Sequence, residues 1–170
     1  MSETCLKAAG HGSPLLNRYR FPELVSVLCF FVFLALVAFP VAAQDAKYYP
    51  YDGAFADAAF EVESAIVDRG LVVDYTSHVG EMLKRTKEDV GGSKTIFENA
   101  DIFLFCSAVL SREMMEADPA NIVHCPYKMM VTESGDGSGK VQVGYPVMPD
   151  GPMKKVEALL DEIARSVTGN

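Results

Sequence analysis

The sequence predicts an α+β fold: a single two-layer domain, mostly antiparallel sheet with helices packed mainly on one face, preceded by an N-terminal signal or anchor helix. Three observations lead there. Apolar spacing alternates between strand and helix periods from residue 44 to residue 168. The run Ser134-Gly135-Asp136-Gly137-Ser138-Gly139 joins two strand-like segments as a hairpin. The first 43 residues differ in composition from everything after them.

Element by element, Gln44 to Gly53 places Tyr48, Tyr49 and Tyr51 around Pro50 and reads as an edge strand running into a turn. Phe55, Ala59, Val62 and Ile66 recur at helical spacing, with Gly70 where a helix cap belongs. Leu71 to Val79 alternates, with Leu71, Val73, Tyr75 and Val79 inward, which predicts a half-buried strand. Glu81 to Asp89 is a short polar helix stopped by Gly91-Gly92. Ile102 to Phe105 is a continuous apolar run, suited to a strand covered on both faces.

Val109 to Ala117 reads as a helix with Leu110 and Met114 inward, ended by Asp118-Pro119. Tyr127 to Glu133 and Lys140 to Tyr145 are the hairpin strands. The last helix begins near Asp150 and Pro152, and Val156, Leu159, Leu160, Ile163 and Val167 form its apolar stripe.

The leader has the form of a secretory signal. Lys7, Arg18 and Arg20 precede an uncharged apolar run from Leu24 to Phe39, and Val41-Ala42-Ala43 supplies small residues for cleavage. The run is shorter than the ~20 apolar residues of a membrane span, although its long basic flank also suits an uncleaved anchor. Residues 1–43 are therefore expected to direct export, and residues 44–170 to form the domain outside, periplasmic or secreted. The membrane is a partner only through the N-terminal segment, if it stays uncleaved.

Removing residues 1–43 takes away three basic and two acidic residues, leaving 12 against 21. That acidic balance excludes a nucleic-acid partner, which requires a basic surface to displace counterions. Cys5 and Cys29 also go, so Cys106 and Cys125 carry the remaining thiol chemistry, in a compartment where thiols can pair.

Three motifs in order resemble the domain of unknown function 302 family, over nearly all of residues 44–170. They are Ala65-Ile66-Val67-Asp68-Arg69-Gly70-Leu71-Val72-Val73, Phe105-Cys106-Ser107 followed by Ala117-Asp118-Pro119, and His124-Cys125-Pro126 leading into Met129-Met130-Val131-Thr132-Glu133. The resemblance implies a small antiparallel sheet with packed helices, association as homodimers, and no reaction. This chain has Ser107-Ala108 where the family carries Asn-Pro, and His124 where a proline usually precedes the second cysteine, which suggests an exported subgroup. Family members without leaders would keep these thiols reduced, so a purely structural disulfide is a less complete explanation of the pair.

The candidate ligand-binding residues are Cys106, Cys125, Ser107, His124 and His78. Cys106 ends a strand and Ser107 can cap the next helix, a position where unpaired amides favour a thiolate. If the two segments are sheet neighbours, both sulfurs could face one crevice for an unidentified small molecule. Inert core thiols, a structural disulfide, a thiol/sulfur-transfer or redox enzyme using Cys106 and Cys125, and a homodimeric structural or partner-binding module remain open beside that reading. Cys106, Cys125 and His124 are weak metal candidates: with nearby methionines a Cu(I) site is conceivable, but no dense ligand spacing appears. Cys125-Pro126 has the form of a haem-associated dipeptide without the c-type attachment spacing. No cofactor is assigned.

Overall fold

The computed structural model describes residues 45–170, so the expected leader of residues 1–43 lies outside the described residues. The strands are β1 (Ala46–Tyr51), β2 (Val72–Ser77), β3 (Phe97–Cys106), β4 (Tyr127–Ser134) and β5 (Val141–Pro146). They form one antiparallel sheet in the order β1-β5-β4-β3-β2. The helices are α1 (Phe55–Val67), α2 (Val79–Thr86), α3 (Ala108–Ala117) and α4 (Lys154–Thr168), with a 3-10 segment at Pro119–His124. Among the described residues no helix is long and apolar enough to cross a membrane.

The core lies between one sheet face and the helices α1 and α4. Ala58, Val62 and Ile66 of α1 and Val156, Leu160, Ile163 and Ala164 of α4 are fully buried. They meet Phe103, Phe105, Tyr127, Met129, Val131, Val143 and Tyr145 of the sheet. Each Val, Leu, Ile, Phe or Met side chain among them stabilises the fold by about 1.5–3 kcal/mol through removal from water. The helical stripes expected at Val62, Ile66, Val156, Leu160 and Ile163 therefore bury as their spacing requires.

The other sheet face carries no helix of this pair. Phe103 and Phe105 are buried, while Ile102 and Leu104, which alternate with them, stay half-exposed, so β3 is covered on one face and not on both. The strand also begins five residues earlier than its apolar run. Its polar start is satisfied by neighbours: Lys84 Nζ lies 2.8 Å from Glu98, and Asn99 Nδ2 donates to Glu133 Oε2 at 2.6 Å.

In β2 the expected alternation breaks at Asp74, where the register shifts between Val73 and Tyr75. One unpaired residue turns the following side chain to the opposite face. Val73 packs on the core, whereas Tyr75 is 63% exposed, which corrects its inward assignment.

Asp161 of α4 ties the edge of the sheet to the helices. Its Oδ1 accepts from Lys47 Nζ (2.7 Å) and Tyr49 OH (2.6 Å) of β1 and from Tyr145 OH of β5, and its Oδ2 accepts from Arg165 Nε at 2.6 Å. Burial pushes this carboxyl up, but the bonds from Lys47, Tyr145, Tyr49 and Arg165 prevail and hold it well below the usual carboxylate range. A depressed carboxylate adds stability above its unfolded value, and that stability is lost as pH falls through the folded one. Asp161→Asn is expected to lower stability by about 2–3 kcal/mol in urea unfolding at neutral pH and to flatten the acid limb of the stability profile.

Candidate functional site

The site is set by the β3–β4 ladder. Phe105 stands opposite Tyr127, the last pair before the strands part, and their rings meet edge to face with centroids 6.3 Å apart. Cys106 follows Phe105, and Cys125 precedes Tyr127 across Pro126. The chain between them leaves and returns through α3 and the 3-10 segment. Ser107 Oγ accepts from Leu110 N at 3.3 Å and caps α3, while Asp118 Oδ1 accepts from Ala120 N at 2.9 Å and caps the 3-10 turn. Asn121 Nδ2 donates to Met114 O at 2.8 Å and holds the two segments together. The Cys125-Pro126 peptide is cis.

This path brings the two sulfurs to 3.0 Å, unbonded and half-buried. Ser111 Oγ, one turn along α3 from Ser107, lies 3.7 Å from Cys125 Sγ and donates to Tyr127 OH at 3.3 Å. Burial also pushes the Tyr127 phenol up, with Ser111 pulling the other way. Ser111 and Tyr127 were not singled out from the sequence. The only trace of them there is helical spacing, which places residue 111 over residue 107.

The helix-start argument for an acidic Cys106 thiol is overturned. Burial first, then the adjoining Cys125 sulfur and the negative charge of Asp74, push the Cys106 thiol up to about 12 against an opposing backbone bond at Tyr127. The physical reason is position. Cys106 lies one residue before the cap, and Ser107 Oγ takes the α3 amide at Leu110.

The remaining candidates separate. Ser107 is 8% exposed and serves as the cap. His124 ends the 3-10 segment and lines a shallow hollow with Val123, Pro126, Lys128, Pro146 and Met148. Neither sulfur is in its wall, and its volume of about 50 Å³ suits water. The sulfurs approach each other and do not line this hollow. Among the described residues no three His, Cys, Asp or Glu side chains gather as for a metal ion.

His78 is not part of this cluster. It follows Ser77, which pairs with Ile102, while Cys106 pairs with Val72 at the far end of β2. Its Nδ1 lies 2.8 Å from Asp101 Oδ1, and the bond to Asp101 raises its pKa, reinforced by the charges of Asp101 and Glu81 against slight desolvation. A raised histidine contributes stability below its ordinary value of 6.5 that is lost as pH rises through the folded value. The ring protons of His78 are expected to titrate with a midpoint above 6.5, and His78→Gln to remove the fall in stability on that limb, as read by NMR and urea unfolding at several pH values.

Comparison with known proteins agrees with this architecture. No curated protein matches the chain. A solved structure described as "uncharacterized conserved protein DUF302 from Bacillus stearothermophilus" is similar, with a TM-score of 0.51 and 17% identity over 75% of this chain and 92% of that one. That level of identity speaks for a shared fold. The family described as "Domain of unknown function DUF302" matches residues 47–168. With that match spanning the sheet, all four helices and both cysteines, the chain belongs to the DUF302 family.

Proposed function

We propose that this is an exported thiol–disulfide protein in which Cys106 and Cys125 form one redox couple. The observation that carries the reading is the 3.0 Å approach of the two sulfurs. It favours a dithiol over a small-ligand crevice, because neither sulfur lines the adjoining hollow, whose volume of about 50 Å³ suits water.

Oxidation by an external disulfide balances simply. One thiol attacks a sulfur of the oxidant and releases the first reduced thiol; the second thiol then attacks the mixed disulfide and releases the other. The protein gives up two protons and two electrons and gains one Sγ–Sγ bond. Cys106, with its thiolate disfavoured, suits the second attack, and Cys125 beside Ser111 suits the first. In an oxidising compartment two thiols held 3.0 Å apart rest as the disulfide.

Intact, non-reduced mass spectrometry of the protein from its native compartment is expected to show a deficit of about 2 Da, abolished by Cys106→Ser or Cys125→Ser. After reduction, alkylation at Cys106 should keep accelerating past pH 9, and loss of the bond should cost about 3 kcal/mol of stability. Two free thiols in the native protein, neither oxidised by glutathione disulfide, would defeat the reading.

A second copy of the chain is the partner we assign to the open sheet face. Val72 is 70% and Tyr75 63% exposed there, beside half-exposed Ile102, Leu104 and Met130. Contiguous apolar surface of this kind is characteristic of association. Light scattering after size exclusion should give a dimer at micromolar concentration, and Tyr75→Lys should shift it to monomer with folding intact.

A further inference from the structure

We infer that the domain holds a second, separate site, for a small amphipathic anion, in the hollow between α2 and the chain that returns to β3. This site lies at the opposite end of β3 from Cys106, since Phe97 and Cys106 are that strand's first and last residues.

Three segments build it. The α2 helix runs on into a tight turn, with Val90 N donating to Thr86 O at 3.2 Å, Gly91 N to Glu88 O at 3.0 Å and Gly92 N to Lys87 O at 2.7 Å. Gly91 adopts φ 71°, the left-handed conformation that reverses the chain. A side chain on Gly92 would meet Lys87 O at 3.0 Å, so the turn closes directly on the helix end. The returning segment is pinned from the other side by the β4–β5 turn. Gly135 N donates to Ile96 O at 3.2 Å, and a Cβ on Gly135 would sit 2.5 Å from Thr95 O.

Between these walls is a hollow of about 90 Å³. Leu83, Val90, Ile96 and Phe97 supply apolar lining, and the charged groups lining it are Lys84, Lys87 and Lys94, without a carboxylate. Lys84 is bound to Glu98 at 2.8 Å. Lys87 and Lys94 form no ion pair among the described residues. In a domain with 21 acidic residues against 12 basic ones, a wall of lysines over an apolar floor is a departure from the general surface. Glu88 and Asp89, on the same turn, are exposed and not among its lining residues.

The chemistry that fits is one negative headgroup on a short hydrocarbon tail. The volume of about 90 Å³ holds about four carbons, scaled from a dry cavity near ~150 Å³ that holds benzene, and a longer tail continues over the exposed Val90 and Ile96. The two unpaired ammonium groups meet the headgroup, while Val90, Ile96 and Phe97 cover the tail.

The test is titration of isotope-labelled protein, purified as the cell makes it, with hexanoate, hexanol and acetate, followed by amide NMR. Hexanoate should give saturable shifts centred on Leu83, Lys87, Val90 and Ile96, with Kd on the order of 1 mM. Hexanol and acetate should each bind at least about fivefold more weakly, and the Lys87→Ala/Lys94→Ala variant should lose about tenfold in hexanoate affinity. Val90→Ser, at a side chain 76% exposed, should weaken hexanoate and leave acetate unchanged, with the unshifted remainder of the spectrum reporting an intact fold. Shifts that do not saturate, shifts centred elsewhere, or equal affinity for hexanoate and hexanol would overturn the assignment. The result is independent of the redox reading, which the state of Cys106 and Cys125 decides.

Discussion

Phe105 faces Tyr127 across the β3–β4 ladder, and that register decides which residues can meet beyond it. Residue 106 leaves the sheet where residue 125 arrives, so the sulfurs approach because two strands pair, not because of affinity between them. The intervening α3 and 3-10 segments are closed by side chains of their own, Ser107, Asp118 and Asn121. The sheet supplies the proximity, and the local caps keep the excursion short enough to preserve it. A slip of β4 by one residue against β3 would turn Tyr127, Met129 and Val131 out of the core together, so the site depends on the same register as the core.

Two electrostatic habits recur in different parts of the molecule. At Asp161 a carboxylate gathers Lys47, Tyr49, Tyr145 and Arg165, and enough donors surround it to overcome burial. At Cys106 no cation approaches among the described residues, and burial governs the thiol. The contrast explains why Asp161 stays ionised at neutral pH while the reduced Cys106 thiol resists giving up its proton. It also shows that a place near a helix start does not by itself activate a sulfur; the amides have to be aimed at it.

Much of the fold was legible because its signals are periodic. Val62 and Ile66, Leu160 and Ile163, and the hairpin around Gly135 to Gly139 bury or turn as their spacing requires. What escaped depended on partners distant in sequence. The inward assignment of Tyr75 failed on a single unpaired residue at Asp74, which no pattern in β2 announces. The polar opening of β3 resembled loop because Glu98, Asn99 and Asp101 find Lys84, Glu133 and His78 only after folding. The two cysteines were visible as candidates, but their mutual distance and the presence of Ser111 and Tyr127 beside them are products of register. His78 shared a polar strand pattern with no indication that Asp101 would be its companion.

The strand order has a consequence for how the chain comes into being. β1, formed by residues 46–51, lies at the sheet edge against β5, which ends at Pro146, and its lysine and tyrosine are anchored by Asp161. A nascent polypeptide emerging from its N-terminus therefore presents Tyr48, Tyr49 and Tyr51 about ninety residues before the strand that pairs with them exists. Those aromatic rings stay solvated, or sheltered by a chaperone, through most of elongation, and the last helix to emerge is the one that locks the first strand in place.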